Sequence, residues 1–123
     1  FLKKNLMAKT YIIEAESYQL RKRLVQYPEL GIIFQEILKQ AKDQLIVLFG
    51  SYAKGLADKD SDIDVYIETK NRELKKQIEN IHSKIRVKIG SFDNDSPLIK
   101  EIIKDHVILR GLEEYYEKTA VLK

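Results

Sequence analysis

The sequence predicts an α/β fold, a mixed β-sheet covered by α-helices, and three observations carry that expectation. Two short apolar runs, residues 45–49 and 63–67, are bounded by polar and turn-forming residues and have the length and composition of buried strands. Apolar residues recur at spacings of three and four in 29–42 and again in 71–82, as on the packed face of an amphipathic helix. Strand-like and helix-like segments then alternate along the remainder of the chain, an order that builds layered α/β structure.

The elements follow in order. Residues 1–28 read as an amino-terminal extension or linker, a possible remnant of an upstream domain, ahead of a domain at 29–123. Within the extension, Tyr11-Ile12-Ile13 has the character of a short strand, and 16–25 reads as an exposed charged helix that ends before Tyr27-Pro28. In 29–42, Leu30, Ile33, Phe34, Ile37, Leu38 and Ala41 share one face, which is a core face. The helix expected at 71–82 turns Leu74, Ile78 and Ile81 inward and serves as a crossover to a strand at 84–90. That strand alternates, with Ile85, Val87 and Ile89 on one face and Lys84, Arg86 and Lys88 on the other. Pro97 opens a further helix carrying Leu98, Ile99, Ile102 and Ile103, followed by a short strand at Val107-Ile108-Leu109 and a last helix through Glu113, Glu114, Tyr115 and Tyr116.

Composition narrows the class. The 123 residues are 44% hydrophobic and 33% charged, enough for one core. With no cysteine, disulfides and thiolate-bound metals are excluded, and no apolar run approaches a membrane span, so the expected placement is cytoplasmic, without a membrane partner. A formal net charge of +3 with interspersed acids permits nucleic-acid binding without indicating it. His82 and His106 each fall near a helix end, where histidine caps or faces water, and suggest no zinc site. Neither a Walker-type phosphate loop nor a nucleophile elbow is present.

The chemistry concentrates in one segment. Gly50-Ser51 ends the first apolar run, and ten residues later comes Asp62-Ile63-Asp64 at the start of the second. Without a Cβ, Gly50 lets backbone approach a ligand closely, and Ser51 adds a hydroxyl and a free N–H. Residues two apart on a strand point the same way, so Asp62 and Asp64 project together. Two like charges on one strand face repel unless a cation offsets them, and hard oxygen ligands suit Mg²⁺, whose shell is completed by water and phosphate. Turn and carboxylates thus form complementary halves of one site. Lys54 either reaches a phosphate or is solvated, and Asp58 and Asp60 read as surface acids of the connecting loop.

These residues resemble the signature of the DNA polymerase beta-type nucleotidyltransferase superfamily, Gly-Ser followed after ten residues by Asp-x-Asp, and in particular its minimal nucleotidyltransferases of archaea and bacteria. The likeness spans 29–117, with 49–64 its specific part. It implies the polymerase beta-like nucleotidyltransferase fold, nucleotide binding at Gly50 and Ser51, and a two-ion Mg²⁺ site at Asp62 and Asp64. A third carboxylate normally comes from the next strand. Here that strand has no acid, and Lys88 stands at the expected position, where it contacts a triphosphate or replaces the second ion as a fixed positive charge. Asp93 and Asp95 are either substitute oxygens or, the preferred reading, part of an ordinary turn before Ser96-Pro97. The resemblance implies transfer of a nucleotide from a Mg-bound nucleoside triphosphate, ATP being one candidate, to a hydroxyl acceptor, as in antitoxins that modify partner toxins of the HEPN type. The alternative is a catalytically impaired nucleotide-binding or DNA-associated regulatory module, which contacts nucleic acid through a missing amino-terminal domain.

Overall fold

Every residue of Ile46–Phe49 (β1) is buried, which places this strand inside the sheet instead of at its edge. The computed structural model describes residues 6–119. Around β1 the sheet has the order β3-β2-β1-β4, with β2 at Ile63–Ile67, β3 at Ile85–Ile89 and β4 at Val107–Arg110. β1 pairs antiparallel with β2 and with β4, while β2 and β3 run parallel, so the sheet is mixed, as expected. The parallel pair needs a crossover, supplied by Arg72–Glu79 (α4). Asn71 starts that helix, its side chain accepting from the backbone N–H of Glu73 at 3.0 Å and of Leu74 at 3.2 Å.

Strand alternation divides the core in two. On one face Ile46, Leu48, Val65, Ile67, Ile85 and Val87 meet Leu30–Gln40 (α2) and α4 through Ile33, Ile37, Leu74 and Ile78. On the other, Val47, Phe49, Tyr66 and Ile108 meet Ile99 and Ile102 of Pro97–Lys104 (α5) and Tyr115 of Leu112–Lys118 (α6). Truncating a fully buried residue such as Ile78 to alanine is expected to cost about 2–5 kcal/mol. Arg86 and Lys88, on β3 at the sheet edge, stay exposed.

The amino-terminal segment corrects two expectations. Tyr11-Ile12-Ile13 is not a strand: it lies within one continuous helix, Leu6–Gln26 (α1). The segment has no glycine or proline and is rich in good helix formers, and a helix satisfies its backbone locally where a strand needs a neighbour. Nor is the 16–25 portion wholly exposed. Arg23 is buried and its Nε donates to the Ala53 carbonyl at 3.0 Å, while Gln26 Nε2 donates to the Gly55 carbonyl at 2.9 Å. Residues 1–5 lie outside the described residues.

His106 takes the capping one of its two expected roles, closing the end of α5 instead of facing water. Its Nε2 lies 3.2 Å from Glu16 Oε2, and its Nδ1 lies 3.1 Å from the Ile102 carbonyl. Tyr116 donates to the same Glu16 oxygen at 2.5 Å, joining α1, α5 and α6 in one network. Among the described residues no helix is long and apolar enough to cross a membrane.

Candidate functional site

The last residue of β1, Phe49, is in register with Asp64 of β2, so the turn that follows β1 closes over the Asp64 side chain. Gly50 there adopts φ +73°, and a Cβ on it would fall 2.3 Å from Asp64 Oδ2. Glycine is therefore required twice, once by backbone conformation and once by space. Gly50–Lys54 (α3) is a single short helix whose carboxyl end is closed by Gly55 in the left-handed region. Ser51 sits partly exposed in its first turn.

The β2–β3 register supplies the cations. Asp64 lies opposite Arg86, and Tyr66 lies opposite Lys88. Arg86 Nη2 stands 3.9 Å from Asp62 Oδ1, while Nη1 donates to the carbonyls of Ser83 at 2.8 Å and Ile85 at 3.0 Å, holding the guanidinium against the strand. Two carboxylates and two cations thus share the end of this sheet face. The Asp64 carboxyl is held above its ordinary value, first by burial, then by the charges of Asp62 and Glu101, with Lys88 and Arg86 pulling the other way. Asp64 is thereby a carboxylate that gains from a further positive charge.

Of the residues singled out in the sequence, Gly50, Asp62, Asp64 and Lys88 converge on this corner, with Ser51 directly after Gly50. Lys54, the exposed last residue of α3, instead lines a polar cleft of about 300 Å³ with Glu16, Arg23, Lys104 and His106. Asp93 is engaged in a turn, its Oδ1 accepting from the Asp95 N–H at 3.0 Å. Among the described residues no three His, Cys, Asp or Glu side chains are grouped as metal ligands. Two neighbours escaped the sequence reading. Arg86 was visible in the alternation of its strand, but only the register sets it beside Asp64. Glu101 gave no signal at all, because its effect depends on how α5 docks across β1.

The profile of the nucleotidyltransferase domain family matches residues 32–116, most of the chain. The chain belongs to the nucleotidyltransferase domain family. A solved structure described as the crystal structure of a toxin–antitoxin with AMP-PNP is similar in fold, with a TM-score of 0.51 at 21% identity over 73% of this chain and 83% of the other. No protein of curated function matches the chain. The matched nucleotidyltransferase segment takes in β1 to β4 and most of α6, and it leaves α1 outside.

Proposed function

We propose that this nucleotidyltransferase domain binds a Mg-bound nucleoside triphosphate at Gly50, Ser51, Asp62 and Asp64 and transfers its nucleotide to the hydroxyl of a partner protein. The observation that carries the proposal is the approach of Gly50 to Asp64: the turn after β1 and the carboxylate of β2 lie within one contact of each other. Asp62 and Asp64 offer hard oxygens on one face, and the raised Asp64 carboxyl fits a site that a divalent cation completes. Bound there, Mg²⁺ supplies charge neutralisation for the triphosphate. Gly50 leaves room for the Asp64 carboxylate against the turn backbone, and Arg86 and Lys88 present fixed positive charge to phosphate oxygens from the neighbouring strand. Transfer joins the acceptor oxygen to the α-phosphorus and releases pyrophosphate. Positioning these groups is the chain's own contribution to rate. The similar toxin–antitoxin structure with AMP-PNP supports both a nucleotide ligand and a protein partner, for which a HEPN-type toxin is the first candidate.

The cationic pair also favours a second reading. With Arg86 and Lys88 on the strand that would carry another acid, the domain retains nucleotide without transferring it and acts as a regulatory module. Calorimetric titration of MgATP and the other triphosphates into the wild type and the Asp62→Asn/Asp64→Asn variant tests the site. Binding lost in the variant supports the proposal, and absence of binding to folded wild type overturns it. Label transfer from α-labelled ATP to a HEPN-type protein then separates the enzyme from the regulatory module.

A further inference from the structure

The face of α1 turned away from the sheet carries Met7, Tyr11, Glu14, Tyr18, Arg21 and Val25, at successive spacings of four, three, four, three and four. That is the a/d spacing of a coiled-coil seam sustained for three heptads, along a helix about 30 Å long. Its apolar members are open to solvent: Met7 is 64% exposed, Tyr11 64%, Tyr18 53% and Val25 80%. The opposite side of the helix is already engaged, with Glu16 bonded to His106 and Tyr116 and Arg23 bonded to Ala53. The seam is thus a second face, and an apolar stripe of this kind marks an interaction surface.

Charge decides what covers it. Glu14 lies in the amino-terminal half of the seam, and Arg21 with its neighbour Lys22 lies in the carboxyl-terminal half. No ion pair within the described residues engages any of the three. Two copies of the seam laid parallel would set Glu14 on Glu14 and Arg21 on Arg21. Laid antiparallel about a two-fold axis near residue 16, they bring each Glu14 toward the Arg21-Lys22 pair of the other copy. The same arrangement sets Met7 by Val25 and Tyr11 by Arg21, an aromatic ring beside a guanidinium. The small residues Ala15 and Ser17 flank the centre, where the two helices come closest. An isologous contact requires a self-complementary patch, and this seam is one. We infer that the chain forms an antiparallel homodimer through the outward seam of α1.

Sedimentation velocity on the 123-residue chain tests this with three proteins, each checked for wild-type helix content by circular dichroism. The wild type is expected to dimerise. Glu14→Lys, at an exposed position, is expected to weaken dimerisation roughly ten-fold or more by setting like charges together. Adding Arg21→Glu and Lys22→Glu to that variant restores opposite charges and is expected to restore the dimer. The chain has no native cysteine, so strand direction can be read separately: mixed Met7→Cys and Val25→Cys chains should cross-link with each other, and neither variant with itself. A monomeric wild type overturns the inference and leaves the seam to a different protein. A dimer indifferent to Glu14→Lys, or one in which each cysteine variant cross-links to itself, overturns it equally.

Discussion

A Cβ placed on Gly50 would lie 2.3 Å from the Asp64 carboxylate, so the turn and the acid occupy complementary space. Gly50→Ala must therefore move Asp64 and hold alanine at φ +73°, a conformation costing about 1–3 kcal/mol. Urea unfolding should show a loss of that order. With the turn and the carboxylate serving one ligand, as proposed, calorimetry should show triphosphate affinity falling at least about ten-fold.

Asp64 sets a pH dependence whose sign follows from its raised carboxyl. A group whose pKa is higher in the folded chain than in the unfolded one favours folding most when protonated. That contribution is fully present below the ordinary carboxylate range and is lost as pH rises through the folded value. Asp64→Asn should thus be more stable than wild type at neutral pH, the difference closing as pH falls, while nucleotide binding in Mg²⁺ is lost. Urea midpoints from neutral to acid pH check this. An Asn variant less stable than wild type at neutral pH would contradict the electrostatic reading of the site.

The cations beside Asp64 make opposite predictions for metal and nucleotide. Lys88→Asp adds a carboxylate to the strand face and should tighten Mg²⁺ binding about ten-fold, in line with the dependence of such sites on ligand charge. Arg86→Ala removes the guanidinium beside Asp62 and should weaken triphosphate binding, with a smaller effect at high salt. Parallel titrations of Mg²⁺ and MgATP distinguish the two. If Lys88→Asp changes neither metal affinity nor transfer, Lys88 does not stand where the missing acid belongs.

The Glu16–His106 pair predicts a second pH window. Burial opposes charge on both groups, but their mutual hydrogen bond and attraction, with Tyr116 donating to Glu16, hold the Glu16 carboxyl low and the His106 imidazolium high. The carboxylate's contribution is present above its unfolded value near 4.5 and is lost as pH falls through the lowered folded value. The histidine's contribution is present below its unfolded value near 6.5 and is lost as pH rises through the raised one. Glu114, pushed up to about 7 by its hydrogen bond to Glu68, slopes the same way as His106, so the comparison belongs in a Glu114→Gln background. There His106→Gln should abolish the remaining fall in stability between neutral pH and the ordinary tyrosine value of 10.0, as measured by urea midpoint.

The segment from Leu45 to Ile67 was the most legible part of the chain, because its information is local. Strand period, the conformational freedom of Gly50 and the two-residue spacing of Asp62 and Asp64 act over a few positions, and the folded chain has the same two strands. Helices α2, α4 and α5 were legible for a related reason, their apolar stripes and the opening Pro97 of α5 lying within the elements themselves. At Tyr11-Ile12-Ile13 local reading failed: three β-prone residues cannot outvote a 21-residue segment of good helix formers with no glycine or proline.

By itself, then, the sequence determined a mixed α/β sheet and the family signature, since patterning and spacing are properties of neighbours along the chain. Tertiary structure alone decided the β2–β3 register that puts Arg86 opposite Asp64 and Lys88 opposite Tyr66. It alone brought Glu101 within electrostatic reach of Asp64 and joined Glu16 to His106 across ninety residues. It also chose which side of α1 faces solvent. Each of these depends on how separate elements pack, and packing is settled by burying the apolar faces of all the elements together, which no local spacing encodes.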